Sequence, residues 1–511
     1  MRKQHIFLAV AAILLPSFAA TASAQASYAE WVHLVESTDS EFSNVNNVLS
    51  DGTHLYLNGS YNGNVTFLGQ VLPYYVGSNA VIAKTDLDGN SIWQATLGGG
   101  GIDSFFDIAL DSENNVIATG WSDSTDDVEI NGQVVIEGDG LFASKGIVAK
   151  FSGTDGSLLW AKTWAAAEFS VANPVKLAVD AEDNVYVGGY YSSPFQVDDV
   201  SFAYHHDFGE DLYMLKLDSA GTAVWGQTLE AVDSGGFINM RGVAANANGV
   251  YFAFSYYKPL LINGVPLPHE GDFYWLAITK VDPDTGLVSD HVAFGSDMGG
   301  QDFSQLKSDS ENNLVATGFF DSNAGFQVQN IPLTGHGSQD GFVAKFDTNL
   351  DAVWANDIGG GSADRAFNVF VAPNDGVYVG GGFDSMSPLS YGATQILDSH
   401  VPSSLSMYEL YVDSDGNFDS ALALYGEGSG QRGKGGGTVI SNARSVALPD
   451  GSLYSVGNFM GTVEFTPGDP VNTLHNTGFF MKWADKLPAT TDCLFSDGFE
   501  SAGAGCGGSG I

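Results

Sequence analysis

The sequence predicts an all-β fold built from a repeated four-stranded sheet. Three observations predict it. Short runs of Val, Ile, Tyr and Phe alternate with turns rich in Gly, Asn and Asp, which is the pattern of strands rather than helices. Gly numbers 64 and charged residues make up only 15% of the chain, so there is little material for charged helix faces. The phrase DSENNVIATG at Asp111 returns as DSENNLVATG at Asp309. Further copies fall between and beyond them at steps of about 66 residues, the mark of a repeat architecture.

The chain opens with Arg2 and Lys3, an apolar run from Ile6 to Leu15 and the small residues Ala22 to Ala24. This order predicts a secretory signal peptide over 1–24 and a mature chain starting near Gln25. The apolar run is too short to span a bilayer, and no later run is long enough either, so no membrane span is expected.

Each repeat unit has four parts in a fixed order. The quoted phrase comes first, and its other copies are SDGTHLYLNG at Ser50, DAEDNVYVGG at Asp180, NANGVYFAFS at Asn246, APNDGVYVGG at Ala372 and LPDGSLYSVG at Leu448. Its Asp and Asn residues suit a hairpin turn between two strands, and its closing Gly suits close sheet packing. A short apolar stretch with a turn follows, as in VTFLGQVL at Val65 and VEINGQVV at Val128. Then comes a strand ending in Lys84, Lys150, Lys216, Lys280, Lys345 or Lys482, with Tyr411 in the sixth unit. A last strand is centred on Trp93, Trp160, Trp225 or Trp354, with Asp290 in the fourth unit and Ser420 in the sixth. A lysine repeated opposite a repeated Asp (Asp111, Asp180, Asp309) suggests a structural pair or a side chain lying along the sheet.

The seventh unit lacks the tryptophan strand, and AEWVHLVE at Ala29 carries it at the other end of the chain with Trp31 in place. The N-terminal strand is therefore expected to complete the last sheet and close a ring. Radial stacking buries the faces of such sheets against one another, and a seven-bladed β-propeller of four-stranded blades over 28–486 follows. The expected assembly is a monomeric ring, followed by a tail over 487–511.

Stretches such as GIVAKFSGTDGSLLW and DGFVAKFDTNLDAVWANDIGGG resemble the β-propeller repeats of secreted bacterial proteins known as SBBP repeats. The resemblance covers nearly all of 29–486. It implies secretion or surface placement and no particular reaction. The tail CLFSDGFESAGAGC resembles a short FxDGFE motif found at the end of many exported proteins. Cys493 and Cys506 are the only cysteines, and in an exported chain such a pair is expected to form a disulfide.

Charge excludes some partners. Lys and Arg number 19 against 60 Asp and Glu, a formal charge of −41, and a surface this acidic repels nucleic acid and anionic lipid.

Candidate sites are few. GSGQRGKGG at Gly428 approaches a phosphate-binding loop, but Gly435 stands where Ser or Thr is needed and no βαβ unit surrounds it. The segments at Asp86, Asp282 and Asp413 begin like calcium loops and lack the distal ligands, so they read as turns. LPATT at Leu487 lacks the Gly, the apolar helix and the basic tail of a sortase signal. Histidines fall between the second and third strands of five units, at His205, His206, His269, His336, His400 and His475. They read first as polar loop residues; His205, His206, Asp207 and Asp211 form the candidate metal set, and the chain implies no firm cofactor, with calcium or zinc the ions such a set would take.

The reading this supports is a non-enzymatic binding or scaffold propeller, exported to the periplasm, the cell surface or the medium, that recognises a protein or a glycan. One alternative is an enzyme: GTDGSLLWAKTW resembles a quinoprotein dehydrogenase blade motif, though that family has eight blades and a cysteine pair near its cofactor, and a lyase or glycosidase is the other enzymatic form. A structural surface or adhesin module is the second alternative. The channel discriminates: a cluster of His, Tyr, Arg and carboxylate favours an enzyme, and a ring of small or apolar residues favours a scaffold.

Overall fold

The computed structural model describes residues 25–37, 42–206, 208–323, 325–384, 386–400, 405–427 and 439–487. It is an all-β propeller made of four-stranded antiparallel meanders. The first runs Ser43–Ser50, His54–Asn62, Ser78–Asp86, Ser91–Gly98, and the second Asp103–Leu110, Val116–Ser122, Lys145–Phe151, Leu158–Ala165. The third is Ala172–Val179, Val185–Tyr191, Asp211–Leu217, Ala223–Leu229, and the fourth Ile238–Asn246, Gly249–Tyr256, Trp275–Val281, Val288–Phe294. The fifth is Gln301–Ser308, Leu314–Asp321, Gln339–Phe346, Ala352–Gly359, and the sixth Arg365–Val371, Val377–Asp384, Leu405–Val412, Phe418–Leu424. The last takes Val439–Ala447, Leu453–Thr466 and Asp469–Trp483 from the C-terminal part of the chain, and Ala29–Leu34 from the N-terminal part.

The inner strand of each meander packs against the inner strand of the next, and Val439–Ala447 packs against Ser43–Ser50, so the circuit closes. The closing strand pairs antiparallel, with Ala29 opposite Trp483 and Leu34 opposite Phe479. Just before it, Gln25–Ala26 pairs in parallel with the outer strand of the sixth meander at Leu422 and Ala423. The start of the described chain therefore staples two neighbouring sheets. Among the described residues no helix is long and apolar enough to cross a membrane.

The repeated lysine and tryptophan prove to be cross-strand partners. Lys84 faces Trp93, Lys150 faces Trp160, Lys216 faces Trp225 and Lys345 faces Trp354. The exceptions keep the register: Lys280 faces Asp290, and Tyr411 faces Ser420. Lys482 faces Trp31 across the closure.

Each tryptophan reaches into the next blade. The indole N–H of Trp93 donates to Gly153 O at 3.2 Å, that of Trp225 to Pro283 O at 3.0 Å and that of Trp354 to Ser414 O at 3.1 Å. These carbonyls lie in the turn between the third and fourth strands of the following blade. A glycine in that turn sits on the indole: a Cβ added to Gly156 (φ +71) would lie 2.6 Å from Trp93, and one on Gly416 (φ +81) 2.6 Å from Trp354. Gly89 takes the matching turn position, where a Cβ would meet the His33 ring at 2.6 Å and Trp31 at 3.0 Å. The fourth blade has Asp290 instead of tryptophan, and the matching turn of the fifth carries Leu350, buried and also at positive φ (64). A larger turn residue thus stands where the indole is missing, and packing density is kept.

The lysines facing the tryptophans act in two ways, within a blade or across its boundary. Lys150 pairs with Asp111 at 2.6 Å and Lys345 with Asp309 at 2.7 Å. Where the second strand carries tyrosine in that place, the ammonium lies over the ring instead, as Lys84 does over Tyr56 and Lys216 over Tyr186. Lys84 then donates to Gly153 O and Lys216 to Pro283 O, across the blade boundary. Asp180, expected as a lysine partner, accepts instead from the Tyr186 hydroxyl at 2.8 Å. The rest of the quoted phrase also stitches blades: Ser112 donates through N and Oγ to Asp183, and Ser310 does the same to Asp375, all at 2.8 Å.

The short apolar stretches between the second and third strands form small hairpins that cover edges. Val128–Ile130 extends the first sheet by pairing with its outer strand at Gly98 and Leu97, and Leu389–Tyr391 does the same to the fifth. Capping an outer strand removes the row of open N–H and C=O groups that invites aggregation.

Candidate functional site

Two regions can meet a ligand: the central channel and one face of the ring. The channel is lined by the inner strands. Each inner strand has an irregularity in its register, between Val45 and Asn47, Phe105 and Asp107, Pro174 and Lys176, Met240 and Gly242, Phe303 and Gln305, Ala366 and Asn368, and Ser441 and Arg444. A bulge re-aims the side chains that follow it. The residue after each is polar or glycine: Asn47, Asp107, Lys176, Gly242, Gln305, Asn368 and Arg444. They form a belt whose members reach from blade to blade. Arg444 Nη1 donates to Asn47 Oδ1 at 2.6 Å, and Asn47 Nδ2 to Phe106 O at 3.1 Å. Leu177 N donates to Asp107 Oδ2 at 3.4 Å, Val369 N to Gln305 Oε1 at 2.8 Å, and Asn368 Nδ2 to Ser445 O at 3.0 Å. At Gly242 a Cβ would come within 2.5 Å of Leu306 Cβ, so there the strands touch directly.

The channel is basic in an acidic protein. Lys176, Arg241, Lys307, Arg365 and Arg444 all lie on inner strands. Arg241 Nε bridges both oxygens of Asp302 at 3.1 and 3.0 Å, and Ser255 Oγ donates to the same carboxylate. Lys176 lies 3.8 Å from Asp107. Burial, with the charges of Arg444, Arg241 and Lys307 reinforcing it against the pull of Asp107, brings the Lys176 ammonium down to about 7. Arg365 donates to Gln339 Oε1 and lies 4.3 Å over the Phe319 ring.

The face follows from topology. In an antiparallel meander the loop between the second and third strands and the connection to the next blade emerge on the same side. Backbone bonds join them: Phe169 N donates to Phe142 O, Gly235 N to Phe208 O and Ser78 N to Gly101 O. Buried carboxylates brace this side. Asp103 accepts from Gly99 N, Asp364 from Gly360 N and Asp384 N, Asp211 from Ala231 N and Asp340 from His336 N. Burial raises all four, Asp103 to about 6 and Asp364 to about 7. Large apolar side chains nonetheless stand in solvent on this face: Phe169 is 82% exposed, Phe142 64% and Phe208 63%. The Phe208 ring packs edge-on against that of Phe237.

The histidines do not converge. His206 Nε2 lies 3.4 Å from Asp211 Oδ1, and the far more exposed His205 points Nδ1 at Glu230, 3.6 Å away. His336 bonds Asp357 at 2.7 Å, His269 meets the Phe273 carbonyl, and His400 stacks on Tyr425. Asp207 lies outside the described residues. Among the described residues no group of three or more His, Cys, Asp or Glu is placed to hold a metal ion. Cys493, Cys506 and the GSGQRGKGG segment also lie outside them. The carboxylates of Asp86, Asp282 and Asp413 accept backbone N–H groups of their own turns, so the turn reading of those segments describes them.

The channel belt and the aromatic face went unread in the sequence. The belt has a signal there: each member stands four residues before a turn-opening residue such as Asp111, Asp180 or Asp309. The exposed phenylalanines have none, because a loop Phe reads the same buried or bare.

No family model matches the chain, and no curated protein matches it in sequence. Among solved structures it is similar to a protein of unknown function from Dyadobacter fermentans, at 9% identity over 89% of this chain and 98% of that one, with a TM-score of 0.39. It is also similar to the polysaccharide lyase Uly1, at 7% identity over 88% and 90%, with a TM-score of 0.41. An apocarotenoid oxygenase from Synechocystis shares 10% identity over 92% and 96%, with a TM-score of 0.36.

Proposed function

We propose that this chain is an exported, non-enzymatic binding propeller of seven blades, of the secreted bacterial repeat type its motifs resemble, and that its loop face recognises a glycan or a protein. The blade number is supported by the circuit of inner strands and by the seven matching cross-strand positions, five of them lysine against tryptophan. The observation that carries the function is the set of solvent-exposed Phe142, Phe169 and Phe208 on one face, the Phe208 loop tied to its neighbouring connection through buried Asp211 and the Phe142 loop held by buried Lys145. Exposed aromatic faces without a packing role mark a contact surface, and a rigid mounting spares the ordering cost of binding. Sugar rings and apolar side chains both stack on such faces. The belt fits a scaffold as well, since its polar groups are engaged in joining blades.

A glycan array and a protein pull-down with the secreted ring test this, alongside a Phe169→Ser, Phe208→Ser variant. The variant is expected to melt like wild type, within about 0.5 kcal/mol, and to lose the ligand. Wild type that retains nothing, or a variant that retains the same ligand equally well, defeats the reading.

One observation favours an enzyme. Glu210 is half-buried on the loop side, where partial burial raises its carboxyl, and it accepts from Ile238 N at 3.3 Å. Its charge acts on Tyr190 and Tyr274, as does that of Arg241. An acid, two phenols and a guanidinium at a channel mouth are parts of a lyase or glycosidase. Glycan cleavage by wild type that disappears in Glu210→Gln would establish it.

A further inference from the structure

We infer that the outer edge of the second blade is a docking site for an extended, uncharged peptide strand of another protein, which pairs with the backbone of Leu158–Ala165. This goes beyond the loop-face reading and does not require it.

The treatment of the other edges carries the inference. An outer strand presents open N–H and C=O groups, and a fold that leaves them bare invites another strand. Val128–Ile130 pairs with the outer strand of the first blade, Leu389–Tyr391 with that of the fifth and Gln25–Ala26 with that of the sixth. The third is met at its end, where Leu261 N donates to Glu230 O. Just past the closing strand of the seventh, Glu36–Ser37 pairs with Val65–Phe67. The fourth, Val288–Phe294, is uncovered but exposes Asp290 and His291, and charge on an edge discourages pairing. Leu158–Ala165 has neither protection. Among the described residues its backbone bonds only the strand on its inner side. Its sequence, LLWAKTWA, carries one charge, and Asp198 already neutralises that Lys162 at 2.8 Å.

The hairpin beside it explains the gap. In the third and fifth blades the hairpin-turn residue accepts from the first N–H of its own outer strand, Asp198 from Ala223 and Gln329 from Ala352. In the second blade that residue is Asn131, and its side-chain oxygen accepts from Thr96 N of the first blade instead. The second outer strand is left without that tie, and a solvent-open groove of about 210 Å³ lies between residues 133–135 and 158–161. Among the described residues the backbone of Gln133–Ile136 bonds only its hairpin partner. Both walls therefore offer backbone groups, which an extended chain can satisfy. No charged side chain lines the groove, which selects an uncharged segment. A formal charge of −41 opposes docking by a second copy of this chain.

Selection of phage-displayed random peptides on the full secreted protein tests this, followed by calorimetry with the best synthetic peptide. The selected sequences are expected to alternate apolar and small polar residues. Leu159 and Val134 are exposed on opposite walls, and a Leu159→Lys, Val134→Lys variant should melt as wild type and bind the peptide about tenfold or more weakly. Val224→Lys, at the matching position of the third blade, and Phe169→Ser, Phe208→Ser should both bind as wild type. N-methylation of alternate peptide nitrogens should weaken binding about tenfold in at least one of the two registers, because strand pairing uses those N–H groups. If the double variant melts early, Val134→Lys alone replaces it and should still weaken binding. Selection of no peptide, unchanged affinity in the charged variants, or indifference to N-methylation in both registers overturns the inference. So does a dimer in sedimentation that Leu159→Lys dissolves, because the occupant would then be a second copy.

Discussion

The two faces of the ring are built from the same strands and could hardly differ more. On the turn face one device recurs: an indole under a tight turn with a lysine facing it, joined at three boundaries by a serine or asparagine bridge to the next blade. On the loop face no device recurs in full. Aspartates brace three connections, a glutamine does so before the fifth blade, and histidines engage whatever is near. Side chains of one face are spent on holding blades together, which fixes their identity from unit to unit. Those of the other are released from that duty and vary, and variable loops on a rigid frame are where recognition residues collect.

The largest expected effect tests the closure that both faces share. Deleting residues 25–37 removes the strand opposite Phe479–Trp483 and the bridge to Leu422. The last sheet then has an open edge, and thermal unfolding followed by circular dichroism should lose its single cooperative transition. Retained cooperative melting would mean that the ring does not need its N-terminal strand.

Next come the lysines of the turn face. Lys345→Met leaves Asp309 buried without its cation, at a cost of about 3–5 kcal/mol in denaturant unfolding. Lys216→Met removes a cation from the Tyr186 ring and one hydrogen bond to Pro283 O, and should cost about 1–2 kcal/mol. Equal losses would erase the distinction between the two arrangements.

Gly156→Ala combines a left-handed backbone with a collision against Trp93, and should cost about 2–4 kcal/mol. Gly132 has a similar φ (+78) and nothing within 4 Å, so Gly132→Ala should cost only about 1 kcal/mol. The difference between the two melting curves isolates the indole contact from the backbone term.

The smallest effect is in pH dependence, where the two faces carry opposite signs. On the turn face, hydrogen bonds from Thr285 hold Asp282 low and those from Ser157 hold Asp155 low. Such groups favour the fold above the usual carboxylate range and lose that contribution as pH falls. Burial raises Asp103 and Asp364 on the loop face, and Glu409 in the interior to about 7. For these the fold prefers the protonated form, so their contribution is complete at low pH and is lost as pH rises through about 6 to 7. Glu409 accepts from Ser445 and Ser455 through one oxygen only. Glu409→Gln keeps that acceptor and has no proton to lose, so it should melt a few degrees above wild type at alkaline pH and show a smaller gap in mild acid. The same gap at both ends would show that Glu409 stays ionised in the fold.

Much of the architecture is legible in the chain. The repeat, the alternation of the strands and the missing strand supplied by Trp31 are local patterns, set by hydrophobic period and by turns a few residues long. The turn reading of Asp111 and its copies is legible for the same reason: Asn114, Asp183, Asn312 and Asp375 all adopt the left-handed conformation that such turns require. The histidines show the limit. Their place between strands is readable, and their partners are not, because each partner lies on another strand or another connection.

The sequence by itself therefore determined a four-stranded repeat and its closure, since hydrophobic period and turn chemistry act over a few residues. The tertiary structure alone decided which polar groups remain for a ligand. Asn47, Asn368 and Gln305 look as available in the chain as Arg365 and Arg444, and only the arrival of the neighbouring elements ties the amides into the belt and gives both guanidiniums an amide oxygen to bond. Phe169 and Phe195 are likewise the same residue in the same unit, yet one is covered by its sheet and the other stands in water. Burial and pairing are properties of what surrounds a side chain, and the surroundings come from residues far away along the chain.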